Sequence, residues 1–233
     1  MPRKIRCTVA AITDHGGRVY TVELAPASPV PNFHPGQFLH LTVDEYDPAS
    51  YWPESRVFSI ASSPRERGRI RICYAVKGRY TTKMEATLRV GSTVWIKLPY
   101  GEFVIDDRQP AVLLAGGTGI SAFTAFIEAL TPANQQPVTL VYGARTPGLL
   151  LFKDMILAQR GTAPNFDVIF FAEQPDATLP ACLPGRISLD AVWPRLAEPV
   201  FYLSGPPVML VALTADLKAR GVAPERIRTD AWE

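Results

Sequence analysis

The feature that most constrains the fold is a glycine-rich turn directly after an uninterrupted apolar run. Residues 111–115 read Ala-Val-Leu-Leu-Ala, and the pattern G-x-G-x-x-A begins at Gly117. An apolar run of this kind is typical of a strand buried on both faces. The glycine pattern is informative because it joins this strand to a helix, which we predict at residues 120–130. Together they predict a strand–turn–helix unit of a parallel sheet.

The same turn is a candidate binding site for an anionic ligand. Glycines allow the backbone to approach a pyrophosphate, and the N-terminus of the following helix offers unpaired N–H groups and a partial positive charge. The alternative interpretation is a tight turn that binds nothing. We predict that Gly117, Thr118, Gly119 and Ile120 contact a dinucleotide.

Strands and helices continue to alternate after this turn. Strands are predicted at residues 138–143, 166–171, 199–204 and 226–230, and helices at residues 149–160 and 208–220. This alternation predicts a doubly wound, parallel α/β sheet.

The first hundred residues have a different pattern, with short β-rich runs separated by proline and glycine. Strands at residues 7–13 and 19–24 flank a His-Gly-Gly turn, which predicts a hairpin. Further strands are predicted at residues 37–43, 56–60, 69–75 and 93–98, with one helix at about 81–89. Such closely spaced strands favour a sandwich or barrel. We therefore divide the chain into residues 1–106 and 107–233.

Composition excludes several functional classes. The three cysteines are far apart and the three histidines lack zinc-ligand spacing, so we predict no metal site and no plant-type iron–sulfur cluster on this sequence. The net charge of +2 gives no reason to expect nucleic acid as a partner. No stretch approaches the ~18 apolar residues of a membrane span, and no signal peptide is visible. The expected location is the cytoplasm.

Two further positions fall at predicted strand ends, where ligands bind in open α/β sheets. Arg145 follows the second strand of the parallel sheet and could receive the 2′-phosphate of NADPH, which NADH lacks. It could equally be a solvated surface charge. Ser204, Gly205 and Pro206 end the fourth strand and could support a nicotinamide ring, or simply start a helix.

Residues 56–59, Arg-Val-Phe-Ser, resemble the R-x-Y-S flavin motif of the ferredoxin–NADP reductase superfamily. Other segments resemble family motifs in the family's order, namely residues 35–37, 78–81, 98–103, 116–120 and 204–209. The resemblance implies an N-terminal antiparallel β-barrel that binds FAD. It also implies a C-terminal α/β parallel-sheet domain that binds NAD(P)H.

The resemblance assigns roles to individual residues. Arg56 would pair with a flavin phosphate, Phe58 would stack on the isoalloxazine in place of the usual tyrosine, and the Ser59 hydroxyl would act near the flavin N5. The remaining residues predicted to contact the flavin are Val57, Tyr74, Val76, Gly78, Tyr80, Thr81 and Thr82.

Two features of the sequence, one at Ser204 and one at the C-terminus, depart from the family pattern. Ser204 stands where relatives usually have a cysteine close to the nicotinamide C4. Asp230 and Trp232 stand where many relatives have a glutamate and a terminal aromatic residue near the flavin. We predict catalytic roles for Ser204, Asp230 and Ser59, and a cofactor contact for Trp232, whose alternative role is core packing.

The function implied by the resemblance is transfer of a hydride from NAD(P)H to FAD, followed by single-electron transfer to a ferredoxin or an oxygenase component. The missing iron–sulfur cysteines place any cluster on a separate acceptor. Two alternatives remain open at this stage. One is a reductase of free flavin or ferric chelates, and the other is a flavin-binding electron-transfer subunit of a larger complex.

Overall fold

The computed structural model describes residues 2–179, 181–191, 193 and 198–230. The chain divides into two compact units, Met1–Val104 and Ile105–Glu233, which we call unit 1 and unit 2. The division predicted from the sequence, after residue 106, falls in the same linker. Each described helix is too short or too polar to cross a bilayer.

Unit 1 is a six-stranded antiparallel sheet with the strand order β4-β3-β6-β1-β2-β5. The two edge strands, β4 and β5, contact each other, so the sheet curls into a nearly closed barrel and the predicted architecture is confirmed. Its elements are β1 (Arg3–Asp14), β2 (Val19–Pro26), β3 (Phe38–Thr42), β4 (Arg56–Ser59), β5 (Ile70–Ala75), α1 (Arg79–Thr87) and β6 (Thr93–Tyr100).

The barrel core follows from the two-residue period of its strands. In β1, Ile5, Cys7 and Val9 are buried, whereas Lys4 and Arg6 are exposed on the opposite face. This alternation separates an apolar interior from a polar exterior. Burial raises the pKa of the Cys7 thiol to about 12, as expected of a core residue.

Unit 2 is a six-stranded parallel sheet with the order β10-β9-β8-β7-β11-β12, which confirms the predicted α/β class. The strand β10 was not predicted, because two residues carry no periodic pattern. The elements are β7 (Ala111–Gly116), α2 (Ser121–Ala129), β8 (Val138–Ala144), α3 (Lys153–Thr162), β9 (Phe166–Ala172), β10 (Leu183–Pro184), β11 (Val200–Ser204), α4 (Pro207–Ala219) and β12 (Ile227–Thr229).

Two helices begin more than one residue away from the predicted start. Helix α1 begins at Arg79 because Gly78 is its N-cap, whose amide donates to Oγ1 of Thr81, the third residue of the helix, at 3.1 Å. Helix α3 begins later than predicted because Phe152, with φ of +58°, interrupts the helical conformation before Lys153. The glycine turn is itself a short 3₁₀ helix, Gly117–Ile120, which leads directly into α2.

Candidate cofactor-binding and active site

The candidate residues of unit 2 gather at one edge of its sheet. Parallel strands end at the same edge, and this is where ligands bind in open α/β sheets. Strand β7 leads into the glycine turn, β8 leads into Arg145, β11 ends at Ser204, and β12 leads into Asp230. The strand order of this sheet therefore brings together side chains that are up to about a hundred residues apart in the sequence.

Ser204 and Asp230 form a direct hydrogen bond. The Ser204 hydroxyl donates to Asp230 Oδ2 at 2.9 Å, and the Asp230 amide donates to the Leu203 carbonyl at 2.8 Å. Both side chains are nearly excluded from solvent, with 4% and 8% exposure. Because the hydroxyl proton is engaged by the carboxylate, the lone pairs of Ser204 Oγ remain available to accept a hydrogen bond from a ligand. The structure thus joins two residues predicted to be catalytic.

The glycines around this edge serve packing within the protein more than ligand approach. A Cβ on Gly119 would lie 2.3 Å from the Ser204 carbonyl oxygen, and a Cβ on Gly116 would lie 2.5 Å from Met209 Sδ. The close backbone approach that the sequence attributed to a ligand at Gly119 is therefore an approach to β11. Gly117 is different, because its φ is +53° and the space beside it is open.

Sequence analysis missed Tyr142, which holds the glycine turn in place. Its side chain is completely buried in β8. The hydroxyl donates to the Gly117 carbonyl at 3.1 Å and accepts the Leu151 amide at 2.9 Å. A buried tyrosine needs a partner for its hydroxyl. A tyrosine within an otherwise apolar strand could therefore have indicated a buried hydrogen bond at this place.

The other residues of unit 2 that were predicted to contact the nucleotide differ in their exposure to solvent. Arg145 is exposed directly after β8, and its guanidinium makes no ion pair with any residue that the structure describes. Ile120 is fully buried, so its side chain belongs to the core. Pro206 precedes α4, and its carbonyl accepts the Met209 amide at 2.9 Å. Trp232 lies outside the described residues.

In unit 1, the candidate flavin residues lie where β4 and β5 meet without a continuous ladder. Arg56 is exposed at the start of β4. The Phe58 ring is 6% exposed and meets the Tyr74 ring edge-on, with centroids 6.3 Å apart. Val57 and Val76 are half-buried beside them. Unpaired strand edges offer N–H and C=O groups, so this seam suits a planar ligand with polar edges.

Ser59 contributes a nearly buried hydroxyl at the end of β4. Its side chain is 5% exposed, and no hydrogen bond joins its hydroxyl to a described residue. Ser59 lies opposite Phe38 in the β3–β4 ladder. A hydroxyl without a protein partner is free to hydrogen-bond a ligand, both as a donor and as an acceptor.

The N-terminus of α1 fits a phosphate group. Gly78 is the N-cap, supplies no side-chain cap, and has open space where a Cβ would be. Thr81 Oγ1 accepts the amides of Lys77 at 3.0 Å and Gly78 at 3.1 Å, which orders the turn before the helix. The Arg79 side chain is 88% exposed and pairs with Glu54. The first-turn N–H groups of the helix favour an anion here.

Tyr80 has a different role from the flavin contact that the sequence suggested, whereas the contact predicted for Thr82 stays a prediction. The Tyr80 ring lies in the barrel core, and its hydroxyl donates to the Leu41 carbonyl at 2.9 Å and accepts the Val43 amide at 3.2 Å. Its side chain is therefore occupied by β3, and only its backbone N–H is left for a cofactor. The Thr82 amide bonds to the Gly78 carbonyl, and its side chain is exposed.

Comparison with known proteins finds relatives that align with most of the chain. The family described as the oxidoreductase NAD-binding domain matches residues 113–214. The chain is 29% identical over 222 residues to a flavohemoprotein of Deinococcus radiodurans, covering 91% of this chain and 55% of that protein. It is 28% identical to the toluate 1,2-dioxygenase electron transfer component of Pseudomonas putida, covering 82% of this chain and 56% of that protein.

The fold has a clear counterpart among solved structures. The crystal structure of the Amycolatopsis cytochrome P450 reductase GcoB matches with a TM-score of 0.84 and 25% identity, covering 98% of this chain and 69% of that one. The chain spans about half the length of the two curated relatives it matches.

Proposed function

We propose that this member of the ferredoxin–NADP reductase superfamily oxidises NADH or NADPH through a bound FAD and passes the electrons singly to a ferredoxin or an oxygenase component. The observation that carries the proposal is the hydrogen bond between Ser204 and Asp230 at the carboxyl edge of the unit 2 sheet. The relatives support it, because they include an electron transfer component of a dioxygenase and a cytochrome P450 reductase.

Unit 1 would hold the FAD. The first turn of α1 and Arg56 would bind the pyrophosphate, and the seam between β4 and β5 would hold the isoalloxazine beside Phe58 and Tyr74. Ser59 would donate a hydrogen bond at the flavin N5. When bound, FAD accepts a hydride from the nicotinamide and releases electrons one at a time, and the protein supplies binding and orientation.

Unit 2 would position the nicotinamide nucleotide. The backbone of Gly117 and Thr118 would face the pyrophosphate, and Arg145 would favour the 2′-phosphate of NADPH. Ser204 would accept a hydrogen bond from the nicotinamide carboxamide, while Asp230 keeps the serine hydroxyl in that orientation. Gly205 and Pro206 would form the surface on which the ring rests. Orientation of this kind accelerates transfer by holding the reacting atoms close together.

The electron acceptor would be a separate redox protein. Three cysteines cannot supply the four thiolates of a plant-type cluster. Cys7, Cys73 and Cys182 are all buried as free thiols, which suits a reducing compartment such as the cytoplasm. The FAD-binding and NAD(P)H-binding units would therefore deliver electrons outside this sequence.

The test is anaerobic stopped-flow reduction of the purified protein by NADH and by NADPH, with the extracted flavin identified by chromatography. We expect a yellow, FAD-containing protein whose absorbance bleaches on mixing, faster with NADPH. The variant Ser204→Ala should bleach about 10²-fold more slowly. A protein that stays colourless and takes up neither FAD nor FMN contradicts the proposal.

A further inference from the structure

The outer face of the unit 1 barrel carries cations that lie directly opposite each other. Lys4 on β1 faces Lys97 on β6. His40 on β3 also faces Lys97, but its imidazole is neutral at pH 7, because burial and the nearby Lys97 lower its pKa. Directly opposite residues project from the same side of a sheet, where like charges destabilise the pairing. Arg6 is the next outward residue along β1. We call Lys4, Arg6 and Lys97 the basic face.

The barrel does not neutralise the basic face with carboxylates. Some cations of unit 1 pair with acidic residues, as in Arg71 with Glu23 at 3.2 Å, whereas others, such as Arg65, make no ion pair with a described residue. The three cations of the basic face belong to the second group, since none of them lies within 4.0 Å of a carboxylate oxygen of the described chain.

Two of these cations rest on aromatic rings instead. The Lys4 ammonium lies 5.0 Å from the Tyr46 ring centroid and also donates to the Tyr46 hydroxyl, and the Lys97 ammonium lies 5.6 Å from the Tyr100 centroid. A ring face attracts a cation without neutralising it, so the positive charge remains available to a partner.

Aromatic residues surround the basic face in the manner of a protein interface. Tyr46 is packed edge-on against both Trp95 and Trp52, with centroids 5.2 Å apart in each case. Tyrosine, tryptophan and arginine are the residues that contribute most to binding at protein interfaces. The combination of rigid rings and uncompensated cations is therefore suited to a protein partner with carboxylates on its surface.

The distribution of charged residues along the chain also makes unit 1 the basic part of the protein. Residues 1–104 contain 14 Lys or Arg and 9 Asp or Glu, whereas residues 105–233 contain 10 and 13. The near-neutral total thus conceals a basic unit 1 and an acidic unit 2. A basic unit steers an acidic partner towards itself during diffusional encounter.

The basic face also lies near the predicted flavin site. Ser59 is opposite Phe38 in the β3–β4 ladder, and His40, which faces Lys97, is two residues from Phe38. Two strand spacings and two residues along a strand separate Ser59 from Lys97, which amounts to roughly 12 Å. A protein docked on this face would therefore approach the flavin from the β3 side of the barrel.

We propose that the basic face is the docking surface for an acidic one-electron carrier protein, whose carboxylates pair with Lys4, Arg6 and Lys97. This inference rests on the proposed function, because it names the surface at which the electrons leave. It differs from the flavin and nucleotide residues, none of which belongs to the basic face.

The test variant is Lys97→Glu. The introduced carboxylate would lie directly opposite Lys4 and replace a repulsive pair with an attractive one, so the variant should melt no lower than the parent. The matched control is Arg65→Glu, which makes the same charge change at an exposed position in the loop that connects β4 to β5 along the chain. Binding of each FAD-loaded protein to a strongly acidic plant-type [2Fe–2S] ferredoxin is measured by thermophoresis at about 50 and about 200 mM NaCl.

We expect Lys97→Glu to weaken ferredoxin binding about tenfold at the lower salt concentration and to reduce its salt dependence. Arg65→Glu should weaken it less than about twofold, and both should reduce ferricyanide, a small acceptor, at the parent rate. Equal losses in the two variants, or unchanged binding by Lys97→Glu, would overturn the proposal. So would equally tight, Lys97-dependent binding of a DNA duplex, which would make the face a general polyanion surface.

The same experiment separates this inference from the function on which it rests. A parent that fails to reduce ferricyanide with NADH or NADPH contradicts the proposed function. If that parent still binds ferredoxin through Lys97, the docking surface is supported independently.

Discussion

The two units present their candidate ligand-binding residues in different ways. Unit 2 uses strand ends, where the order of a parallel sheet gathers Ser204, Asp230 and the glycine turn. Unit 1 uses a seam, where β4 and β5 meet at the edges of an antiparallel sheet. The first arrangement is fixed by backbone packing, as at Gly119 and Ser204. The second depends on individual side chains and on how one helix begins, so substitutions should affect the units differently.

The largest difference is expected for glycine substitutions. In unit 2, Gly119→Ala would push a Cβ to 2.3 Å from the Ser204 carbonyl oxygen, so backbone must shift, and we expect a loss of about 3 kcal/mol or more. In unit 1, Gly78→Ala meets open space and should cost below about 1 kcal/mol. Urea unfolding followed by circular dichroism measures both. Similar losses would show that the crowding at Gly119 is relieved at little cost.

The residues for which we propose catalytic roles should differ next. Asp230→Asn removes the carboxylate that orients Ser204, and we expect flavin reduction by NAD(P)H to slow about 10²-fold. Ser59→Ala removes one hydrogen bond at the flavin and should slow it about tenfold, with little change in FAD affinity. Stopped-flow absorbance gives both rates. If Ser59→Ala is reduced as fast as the parent, the role assigned to Ser59 is wrong.

Tyr142 tests whether the turn of unit 2 must be held in place. Tyr142→Phe removes the hydrogen bond to the Gly117 carbonyl, and one such bond is worth about 1 kcal/mol, so KM for NAD(P)H should rise about fivefold while kcat stays near the parent value. Tyr202→Phe is the matched control, because Tyr202 accepts the Asp106 amide away from the turn. It should lower stability without changing KM. An equal KM increase in both variants would indicate general loosening of unit 2.

The smallest effect is expected at the helix cap of unit 1. Thr81→Val removes the hydroxyl that accepts two backbone amides and should cost about 1 kcal/mol of stability, with weaker FAD binding in a fluorescence titration. Thr82→Val changes an exposed side chain next to it and should stay within about 0.5 kcal/mol of the parent. Loss of FAD binding in Thr82→Val alone would assign the phosphate contact to Thr82 instead.

Sequence patterns predicted the architecture because each unit repeats a simple period. The apolar run before Gly117 indicated a strand buried on both faces, and β7 is buried throughout. The His-Gly-Gly turn predicted the β1–β2 hairpin, which has Gly16 and Gly17 at φ of +79° and +60°. These features depend only on residues that are close together in the sequence, so a short segment is enough to predict them.

Features that depend on distant residues could not be read in this way. The hydroxyl of Tyr80 is bound by β3 some forty residues earlier, and the crowding of Gly119 comes from β11. The opposition of Lys4 and Lys97 requires the register of a ladder between the first and sixth strands. The family resemblance gave Ser204 and Asp230 separate roles, and their pairing was not predicted, since the order of parallel strands is not encoded in any local pattern.

The interlocking of Gly116 and Gly119 with Met209 and the Ser204 carbonyl has a consequence for engineering. The loop and the strand end pack directly against each other, so an attempt to change coenzyme preference by redesigning the glycine turn would disturb the Ser204–Asp230 pair as well. Arg145 is exposed and lies outside this packing. Since we propose that Arg145 contacts the 2′-phosphate, it is the position at which preference for NADPH or NADH should be selected in a mutant library without loss of the folded scaffold.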